Sequence, residues 1–298
     1  MKCLVTGGAG FIGSHIVDRL INDGHEVLVI DNESADAHDN FYYNNKAVYH
    51  KLNIKNYEDI EPLFNGVTYV FHLAAESRIQ PTIEKPVEAC MVNFIGTTNV
   101  LESSRVNGVK RVMYSSTSAA YGLKNKPPLK ETMSRDCLNP YSVSKVGGED
   151  LCKMYHTLYG LETIIFRYFN VYGERQPLKG QYAPVIGLFM RQKENNTPMT
   201  IIGDGLQKRD FTNVNDVVEA NILASTCDNP LALGQVMNIG TGVNCTILEL
   251  AKYIGGEYKF VPARPAESRV SLADASKAKS LIGWQAKKTL IQYIKENQ

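Results

Sequence analysis

The chain has 298 residues, 44% of them hydrophobic, and a formal net charge of +1 at pH 7. This composition suits an ordinary globular protein with a large core, and its interspersed acids and bases leave no strong field for nucleic acid or a membrane surface. Six scattered cysteines lack the spacing of a disulfide framework or a metal site. The sequence begins directly with a strand pattern, without a leader, and lacks an apolar run that could cross a bilayer. We therefore expect a cytoplasmic protein whose partners are small molecules.

Short apolar runs alternate with amphipathic stretches through the first half of the chain. The pattern predicts buried strands at Lys2–Thr6, Glu26–Ile30, Tyr69–Leu73, Arg111–Ser115 and Leu161–Phe166. Between them it predicts helices at about 11–23, 57–64, 85–107 and 141–158. This βαβ repetition indicates an α/β fold, a Rossmann-type doubly wound parallel sheet covered by helices on both faces.

Beyond Tyr172 the alternation of strand and helix patterns ends, and loops rich in glycine, proline and charged residues follow. This change predicts a smaller, discontinuous C-terminal lobe. A helix at Asp216–Ser225 and a strand at Val236–Ile239 are expected to return to the sheet. The predicted division is a main domain of residues 1–172 with 213–240, and a lobe of residues 173–212 and 241–298.

A glycine-rich loop joins the first predicted strand to the first helix. Gly7, Gly10 and Gly13 allow a tight turn and let backbone N–H groups approach a pyrophosphate at a helix N-terminus. The next strand ends in Asp31, the acid expected to accept hydrogen bonds from the adenosine ribose. Asp31 could instead cap a turn, the commoner fate of an aspartate after a strand. Because loop, strand and spacing agree, we predict a dinucleotide site, with NAD preferred because an acid repels a ribose 2'-phosphate.

Tyr141 and Lys145 lie one turn apart on a helix that Pro140 can open. A phenol needs ~4 kcal/mol of preference for the phenolate to titrate near neutral pH, and a lysine ammonium can supply part of it. Alternatively, the two side chains are mere neighbours and Lys145 pairs with Glu149. A hydroxyl cluster, Ser115 to Ser118, ends the preceding strand at the edge where parallel sheets bind ligands, although such a run is often only turn chemistry. The combination suits hydride transfer, with the tyrosine taking a carbinol proton while a nicotinamide takes the hydride.

With these residues the chain resembles the extended short-chain dehydrogenase/reductase family and, within it, the nucleotide-sugar 4-epimerases of the UDP-glucose 4-epimerase type. The motifs that carry the resemblance, over nearly the whole chain, are Thr6–Gly13, Asp31-Asn32, His72–Ala75, Val92-Asn93, Thr117, Tyr141–Lys145, Arg167–Gly173, Arg209–Phe211 and Arg264-Pro265. The resemblance implies NAD as cofactor, a UDP-sugar as substrate and a nucleotide-sugar-binding lobe. It also implies a homodimer through the helices at 85–107 and 141–158, whose apolar stripes could equally be intramolecular core.

The resemblance assigns roles to individual side chains. The catalytic residues would be Thr117, Tyr141 and Lys145. The residues that bind the cofactor would be Gly7, Gly10, Phe11, Ile12, Gly13, Asp31, Asn32, Asn53, Ile54, Leu73, Ala74, Ala75, Asn93, Ser115, Tyr141, Lys145 and Tyr168. The residues that bind the substrate would be Ser77, Thr117, Ser118, Tyr141, Asn170, Arg209, Arg264, Glu267 and Ser271. Asn53 and Glu267 depart from the family pattern, which usually has aspartate at both positions.

The implied reaction has no net redox change. Tyr141 as phenolate removes the proton of the sugar 4-hydroxyl while C4 gives its hydride to NAD, and Thr117 assists the proton relay. Lys145 holds the nicotinamide ribose and lowers the pKa of Tyr141. The 4-keto sugar then swings about its anchored diphosphate and is reduced on the other face.

Three alternatives remain open at this point. The segment Ala75–Ile79 resembles that of the NDP-sugar 4,6-dehydratases, but Ser118-Ala119 stands where those enzymes place the Asp-Glu pair that eliminates water. A nucleotide-sugar decarboxylase or a 4-reductase shares the same fold. A non-catalytic NAD-sensing protein would usually have lost the tyrosine or the lysine, and both are present.

Ser271 stands three residues before Asp274 of the Asp-Ala-Ser-Lys segment. In 4-epimerases of this type the residue at that position packs against the C2 substituent of the sugar, and a large aromatic ring there excludes an N-acetyl group. The resemblance therefore implies that UDP-N-acetylglucosamine and UDP-N-acetylgalactosamine fit as well as UDP-glucose and UDP-galactose, unless another side chain closes the pocket.

Overall fold

The computed structural model describes residues 1–35, 40–178, 184–263 and 268–297. The strands in these ranges are β1 (Lys2–Thr6), β2 (Glu26–Ile30), β3 (Val48–His50), β4 (Tyr69–His72), β5 (Arg111–Thr117), β6 (Glu162–Tyr168), β7 (Val171–Tyr172), β8 (Met199–Ile202), β9 (Lys208–Asp210), β10 (Thr212–Asn213), β11 (Gln235–Ile239), β12 (Asn244–Thr246) and β13 (Tyr258–Val261). The α-helices are α1 (Phe11–Asn22), α2 (Tyr57–Ile60), α3 (Ile79–Glu84), α4 (Pro86–Cys90), α5 (Thr97–Val106), α6 (Pro140–Tyr159), α7 (Val185–Glu194), α8 (Val214–Thr226), α9 (Ile247–Ile254), α10 (Ser276–Ile282) and α11 (Leu290–Glu296).

Seven parallel strands form the central sheet, in the order β3-β2-β1-β4-β5-β6-β11. One apolar cluster covers each face: Val5, Val29 and Phe166 belong to the first, and Leu4, Val112 and Ile165 to the second. Adjacent residues of one strand thus point into opposite clusters, as the alternation of side chains along a strand requires. The predicted Rossmann-type doubly wound fold is confirmed. Strand order reverses between β1 and β4, which opens a crevice at the carboxyl ends of the strands.

Three local features differ from the sequence prediction. The helix predicted at 85–107 consists of α4, a π-helical segment at Met91–Gly96 and α5. Strand β5 continues to Thr117. Strand β3 was missed, because three partly exposed residues give too short a pattern to detect.

In the part of the chain that was predicted to return to the sheet, β11 pairs with β6 and α8 packs against α1. A third apolar cluster, built around Phe189, Met199 and Leu250, forms the core of the C-terminal part. The predicted boundary at residue 241 is wrong for one segment: Ala278, Ile282 and Trp284 pack in the first sheet cluster. Burial of Trp284, with its indole N–H donating to the Asp216 carbonyl at 2.8 Å, draws α10 to the sheet. The other domain boundaries stay a prediction.

Among the described residues, no helix is both long enough and apolar enough to cross a membrane. The same part of the chain contains no group of three or more His, Cys, Asp or Glu residues placed to hold a metal ion.

Candidate active site

A cleft of about 240 Å³ opens at the carboxyl ends of β1, β2, β4, β5 and β6. Most of the predicted site residues line it, namely Gly7, Gly10, Phe11, Ile12, Gly13, Asp31, Asn32, Asn53, Ile54, Leu73, Ala74, Ala75, Ser77, Ser115, Tyr141, Lys145 and Tyr168. Leu52, Glu76 and Ser116, to which the sequence analysis assigned no binding role, also line the cleft. Its position is the crevice that parallel α/β sheets use for ligands.

The glycine-rich loop is shaped by close approaches of backbone to backbone. Gly7 has φ +71°, and a Cβ there would lie 2.8 Å from the Ala74 nitrogen. A Cβ on Gly13 would lie 2.1 Å from the Gly7 carbonyl oxygen. Side chains at these positions would therefore push the loop away from the end of β4 and from the first turn of α1. The N-terminus of α1 consequently faces the cleft with free backbone N–H groups, the arrangement that binds a pyrophosphate.

Asp31 is fixed at the mouth of the cleft by two backbone groups. Its carboxylate accepts hydrogen bonds from the Ala9 N–H at 3.0 Å and from the Glu33 N–H at 2.8 Å. The second bond is the turn cap that was the alternative reading of Asp31. The first bond joins the carboxylate to the glycine-rich loop, so Asp31 both caps a turn and lines the cleft.

The wall of the cleft formed by Leu73 and Ala74 is held by a chain of buried hydrogen bonds. The Thr6 hydroxyl accepts from the N–H groups of both residues, each at 3.2 Å, and contacts the His72 Nδ1 at 2.7 Å. The His72 Nε2 contacts the Thr97 hydroxyl at 2.9 Å. Burial lowers the pKa of His72 to about 3, so the ring stays neutral and can accept at one nitrogen while donating at the other.

Asn93 is fully buried behind this wall. Its amide accepts from the Glu76 N–H at 2.8 Å, and donates to the Glu76 carbonyl and to the Ser144 hydroxyl, both at 3.0 Å. The side chain therefore fixes the Glu76 backbone, which lines the cleft, while Asn93 itself does not line it.

Tyr141 lies in the first turn of α6, whose start the sequence dictates. Asn139 caps the helix by accepting from the Ser142 N–H at 2.9 Å, and Pro140 occupies the first helical position. Thr117 lies near enough to Tyr141 to oppose the rise that burial causes in the pKa of Tyr141, so the fold brings the two predicted catalytic side chains together. Thr117 also accepts from the Ala119 N–H at 3.1 Å, at the end of β5.

Two expectations about this pair need correction. In the cofactor-free protein, burial raises the pKa of Tyr141, and only the Thr117 hydrogen bond opposes the rise. Lys145 itself is 3% exposed, and its burial lowers the pKa of the ammonium to about 7. Desolvation is the largest cause of both shifts, because both side chains are buried in the cleft.

The alternative pairing of Lys145 with Glu149 is also wrong. Both carboxylate oxygens of Glu149 bind the Arg167 guanidinium, at 2.8 and 2.7 Å, and one of them accepts from the Ser116 hydroxyl at 2.6 Å. Glu149 is fully buried and Arg167 nearly so. This pair joins α6 to β6 beneath the cleft and leaves the Lys145 side chain facing Tyr114.

Ser115 and Tyr168 meet at the base of the cleft. The Ser115 hydroxyl lies 3.1 Å from the Tyr168 hydroxyl, which accepts from the Asn221 amide at 2.9 Å. Three elements, β5, β6 and α8, thus fix the Tyr168 ring in the cleft.

The predicted substrate residues of the C-terminal part gather around β9. Asn170, with φ +30°, donates to the Asp210 carbonyl at 2.7 Å. Arg209 donates to the Ser268 carbonyl at 2.8 Å, and the Ser271 N–H donates to the Lys208 carbonyl at 3.0 Å. Thr117 and Ser118 adjoin the cleft from the end of β5, whereas Arg264 and Glu267 lie outside the described residues.

A buried carboxylate that the sequence reading did not use holds this region together. Asp210 accepts from the N–H groups of Thr241, Gly242 and Ala273 at 2.8 to 3.0 Å, and from the Thr241 hydroxyl at 2.6 Å. It fixes the loop that carries Ser271 directly beside Arg209. Only the arrangement of three distant segments reveals its partners.

Comparison with known proteins identifies the family. The family model described as GDP-mannose 4,6 dehydratase matches residues 4–297. The chain belongs to this family. It is the extended short-chain dehydrogenase/reductase group that the sequence motifs resemble, so that prediction is confirmed.

Relatives within the family carry different activities in their names. A putative UDP-glucose 4-epimerase of Methanocaldococcus jannaschii is 39% identical over 98% of this chain and 95% of its own length. A UDP-N-acetyl-alpha-D-glucosaminuronate decarboxylase of Bacillus cytotoxicus is 37% identical over 85% of this chain and 79% of its own length.

Solved structures of family members superpose over almost the entire chain. The UDP-glucose 4-epimerase of Thermotoga maritima, solved with UDP-glucose, has a TM-score of 0.93 and 37% identity, covering 99% of this chain and 96% of its own. The UDP-N-acetylglucosamine 4-epimerase of Methanobrevibacter ruminantium, solved with UDP-N-acetylmuramic acid, has a TM-score of 0.93 and 33% identity, with the same coverage. The UDP-glucose 4-epimerase of Thermus thermophilus, solved with NAD, has a TM-score of 0.88 and 32% identity, again with the same coverage. These proteins are nucleotide-sugar epimerases, which supports the same general class for this chain.

Proposed function

We propose that this protein catalyses the NAD-dependent 4-epimerisation of UDP-hexoses through a transient 4-keto sugar. The observation that carries the proposal is the geometry at the end of β5. There Tyr141 lies beside Thr117 and one helical turn from Lys145, and both Tyr141 and Lys145 line the cleft.

The residues of the cleft fit NAD. A Cβ on Gly7 or Gly13 would collide with backbone, so this loop is built for the close approach of a pyrophosphate to α1. Asp31 is held where it would accept from the adenosine ribose, and its charge disfavours NADP. Asn53 and Ile54, which line the cleft, would contact the adenine, and Ser115, Lys145 and Tyr168, which also line it, would lie beside the nicotinamide and its ribose.

The side chains of this protein would handle one proton at the sugar O4. Tyr141 accepts it, and Thr117, which lowers the pKa of Tyr141, would stabilise the phenolate by donating a hydrogen bond to it. Lys145 holds the cofactor ribose and adds positive charge beside the phenol. When bound, NAD supplies the hydride acceptor and donor and a positive ring charge, which favours the phenolate that burial alone disfavours.

Substrate anchoring would fall to the cluster around β9. A diphosphate needs fixed, permanently charged donors. Arg209 would supply one, because its guanidinium donates to the Ser268 carbonyl and is thereby held in place. Asn170 and Ser77 would complete the contacts, together with Arg264 and Glu267. Tight anchoring of the diphosphate leaves the sugar free to turn, as the reaction requires.

The experiment is to purify the protein, measure the NAD it retains, and incubate it with UDP-glucose, UDP-N-acetylglucosamine and UDP-glucuronic acid without added reductant. We expect bound NAD and interconversion of each accepted sugar with its 4-epimer, followed by NMR. Loss of water would indicate a dehydratase, and release of carbon dioxide from UDP-glucuronic acid a decarboxylase, the activity named for the Bacillus cytotoxicus relative. NAD binding without turnover of a wider panel of nucleotide sugars would indicate a sensor.

Substrate range is proposed to depend on Ser271. The variant Ser271→Tyr should lose turnover of UDP-N-acetylhexosamines by about 10²-fold or more while keeping most of its UDP-glucose turnover, because a ring at this position clashes with the N-acetyl group. Steady-state kinetics with both substrates measure the effect. The control is Ser280→Tyr, an exposed position on α10. Equal loss on both substrates, or none, would show that Ser271 does not face C2.

We also propose that the protein is a cytoplasmic homodimer. Val87 and Met91 at the start of the long helical segment, and Val143 and Leu158 on α6, are exposed apolar side chains. A second copy would cover them by pairing the same helices across a two-fold axis. Light scattering should give twice the chain mass. All six cysteines are free thiols, which suits a reducing compartment.

A further inference from the structure

Tyr114, on β5, contacts Lys145 at both ends of the lysine. The Lys145 Nζ lies 4.4 Å from the centroid of the Tyr114 ring. The Tyr114 hydroxyl donates to the Lys145 carbonyl oxygen at 3.0 Å. Tyr114 itself is fully buried. One side chain therefore contacts both the backbone and the ammonium of the lysine that the proposed function requires.

We propose that Tyr114 is a positioning residue for Lys145, whose ring face keeps the ammonium charged and directed into the cleft while its hydroxyl fixes the turn of α6 behind it. This inference rests on the proposed function only for its kinetic consequence.

The ring face of Tyr114 is an electron-rich group 4.4 Å from the ammonium. Glu149, the nearest acid on α6, is engaged by Arg167 and Ser116. His72 on β4, whose ring centroid lies 5.5 Å from that of Tyr114, stays neutral because burial lowers its pKa to about 3. The groups that face Lys145 from the surrounding elements are His72, Tyr114, Tyr141, Glu149 and Cys152.

Burial lowers the pKa of Lys145 to about 7, while the charge of Glu149 acts in the opposite direction. The ammonium therefore loses its proton near neutral pH unless something favours the charged form. An aromatic face does so, by an amount that rises as the pair is desolvated. Because the ring acts only on the protonated lysine, its removal should lower the pKa of Lys145 further.

The hydroxyl of Tyr114 fixes the spacing of α6 and β5. A Cβ on Gly148 would lie 2.2 Å from this hydroxyl, so the helix approaches the strand closely only because residue 148 has no side chain. Burial raises the pKa of Tyr114 well above its ordinary value, and the hydroxyl remains a donor to the helix. The ring and the hydroxyl thus make separable contributions.

Two substitutions separate them. Tyr114→Phe keeps the ring and removes the hydroxyl, whereas Tyr114→Leu removes the ring. The first measurement is the pKa of Lys145 in cofactor-free protein, by NMR of lysine labelled with ¹³C at Cε, with the signal assigned from its absence in Lys145→Arg. We expect little change for Tyr114→Phe and a downward shift of roughly 0.4 to 1.5 pH units for Tyr114→Leu.

Tyr69→Leu is the matched control. Tyr69 is a buried ring at the start of β4, at the side of the sheet formed by the amino ends of its strands and therefore opposite the cleft. Its removal should destabilise the core comparably without moving the Lys145 titration. An unchanged Lys145 pKa in Tyr114→Leu, or an equal shift in Tyr69→Leu, would overturn the proposal.

If Tyr114→Leu does not fold, replacement of Tyr114 by pentafluorophenylalanine keeps the ring and reverses the charge of its face. The Lys145 pKa should then fall below that of Tyr114→Phe, and equal values for the two would overturn the proposal.

The second measurement is the pH profile of kcat in the holoenzyme. Tyr114→Leu should move the alkaline limb to lower pH, because activity requires the charged lysine, and Tyr114→Phe should leave the limb in place. A lower rate with an unmoved limb in both variants would mean a purely structural role. The NMR titration needs neither substrate nor cofactor, so its result does not depend on the proposed function. An unchanged Lys145 pKa would overturn the role of Tyr114 and would leave the proposed epimerase function untouched.

Discussion

Replacing Tyr141 by phenylalanine is expected to reduce kcat by about 10²- to 10⁴-fold, the range for loss of a group that transfers a proton in the transition state. The change removes one oxygen atom and keeps the aromatic ring. The fold, followed by circular dichroism, and the NAD retained after purification should both match the unmodified protein. A lower rate with intact cofactor therefore assigns the proton transfer to the phenol.

Tyr159→Phe is the control for this experiment. Tyr159 ends the same helix, is 52% exposed and lies far from the cleft. Its variant loses the same hydroxyl and should keep the full rate. Undiminished activity of Tyr141→Phe would refute the assignment.

Replacing Glu149 by glutamine is expected to lower the free energy of unfolding by about 3–5 kcal/mol, because it leaves the Arg167 guanidinium buried without its counter-charge. The side chains of the pair are 0% and 3% exposed, and Arg167 also lies against the Tyr121 ring, 4.7 Å from its centroid. Glutamine keeps the shape of the side chain and can still accept a hydrogen bond from Ser116, so the decrease in the free energy of unfolding is due to the lost charge. Urea denaturation measures this free energy.

The adjacent residue supplies a matched control. Asp150 binds Arg135 through two hydrogen bonds of 2.6 and 2.5 Å, but these side chains are 57% and 36% exposed. Asp150→Asn should therefore cost at most about 1 kcal/mol, because water already solvates both charges. Similar losses from Glu149→Gln and Asp150→Asn would contradict the view that burial makes the Arg167 pair decisive.

This buried pair belongs to a network that joins the cleft to the C-terminal part. Arg167 lies on Tyr121, whose hydroxyl donates to the Asn238 amide oxygen at 2.7 Å. The Asn238 amide in turn donates to the carbonyls of Leu129 at 2.8 Å and Asp274 at 3.2 Å. The strand ends that carry Ser115 to Thr117 are thereby fixed relative to the segment that carries Ser271.

Several features followed from the sequence alone because their physical causes are local. Apolar runs of strand length between amphipathic stretches specified the parallel sheet, and the glycines at positions 7 and 13 specified the loop that approaches it. Pro140 indicated where α6 begins, which placed Tyr141 and Lys145 one turn apart. These signals depend on neighbouring residues, so a single sequence contains them.

The tertiary structure decided which side chains are buried together. The spacing along α6 allowed Glu149 to pair with Lys145. In the folded protein Glu149 instead forms an ion pair with Arg167 on β6, and the Lys145 ammonium lies over the Tyr114 ring on β5. Helix α10 packs on the sheet because Trp284 is buried there, and Asp210 gathers three loops that are distant in sequence. Desolvation, which raises the pKa of Tyr141 and lowers that of Lys145, is likewise a property of the assembled cleft. Burial and long-range partners arise only when separate elements pack, and the free energy of a charge depends on them more than on its neighbours in the chain.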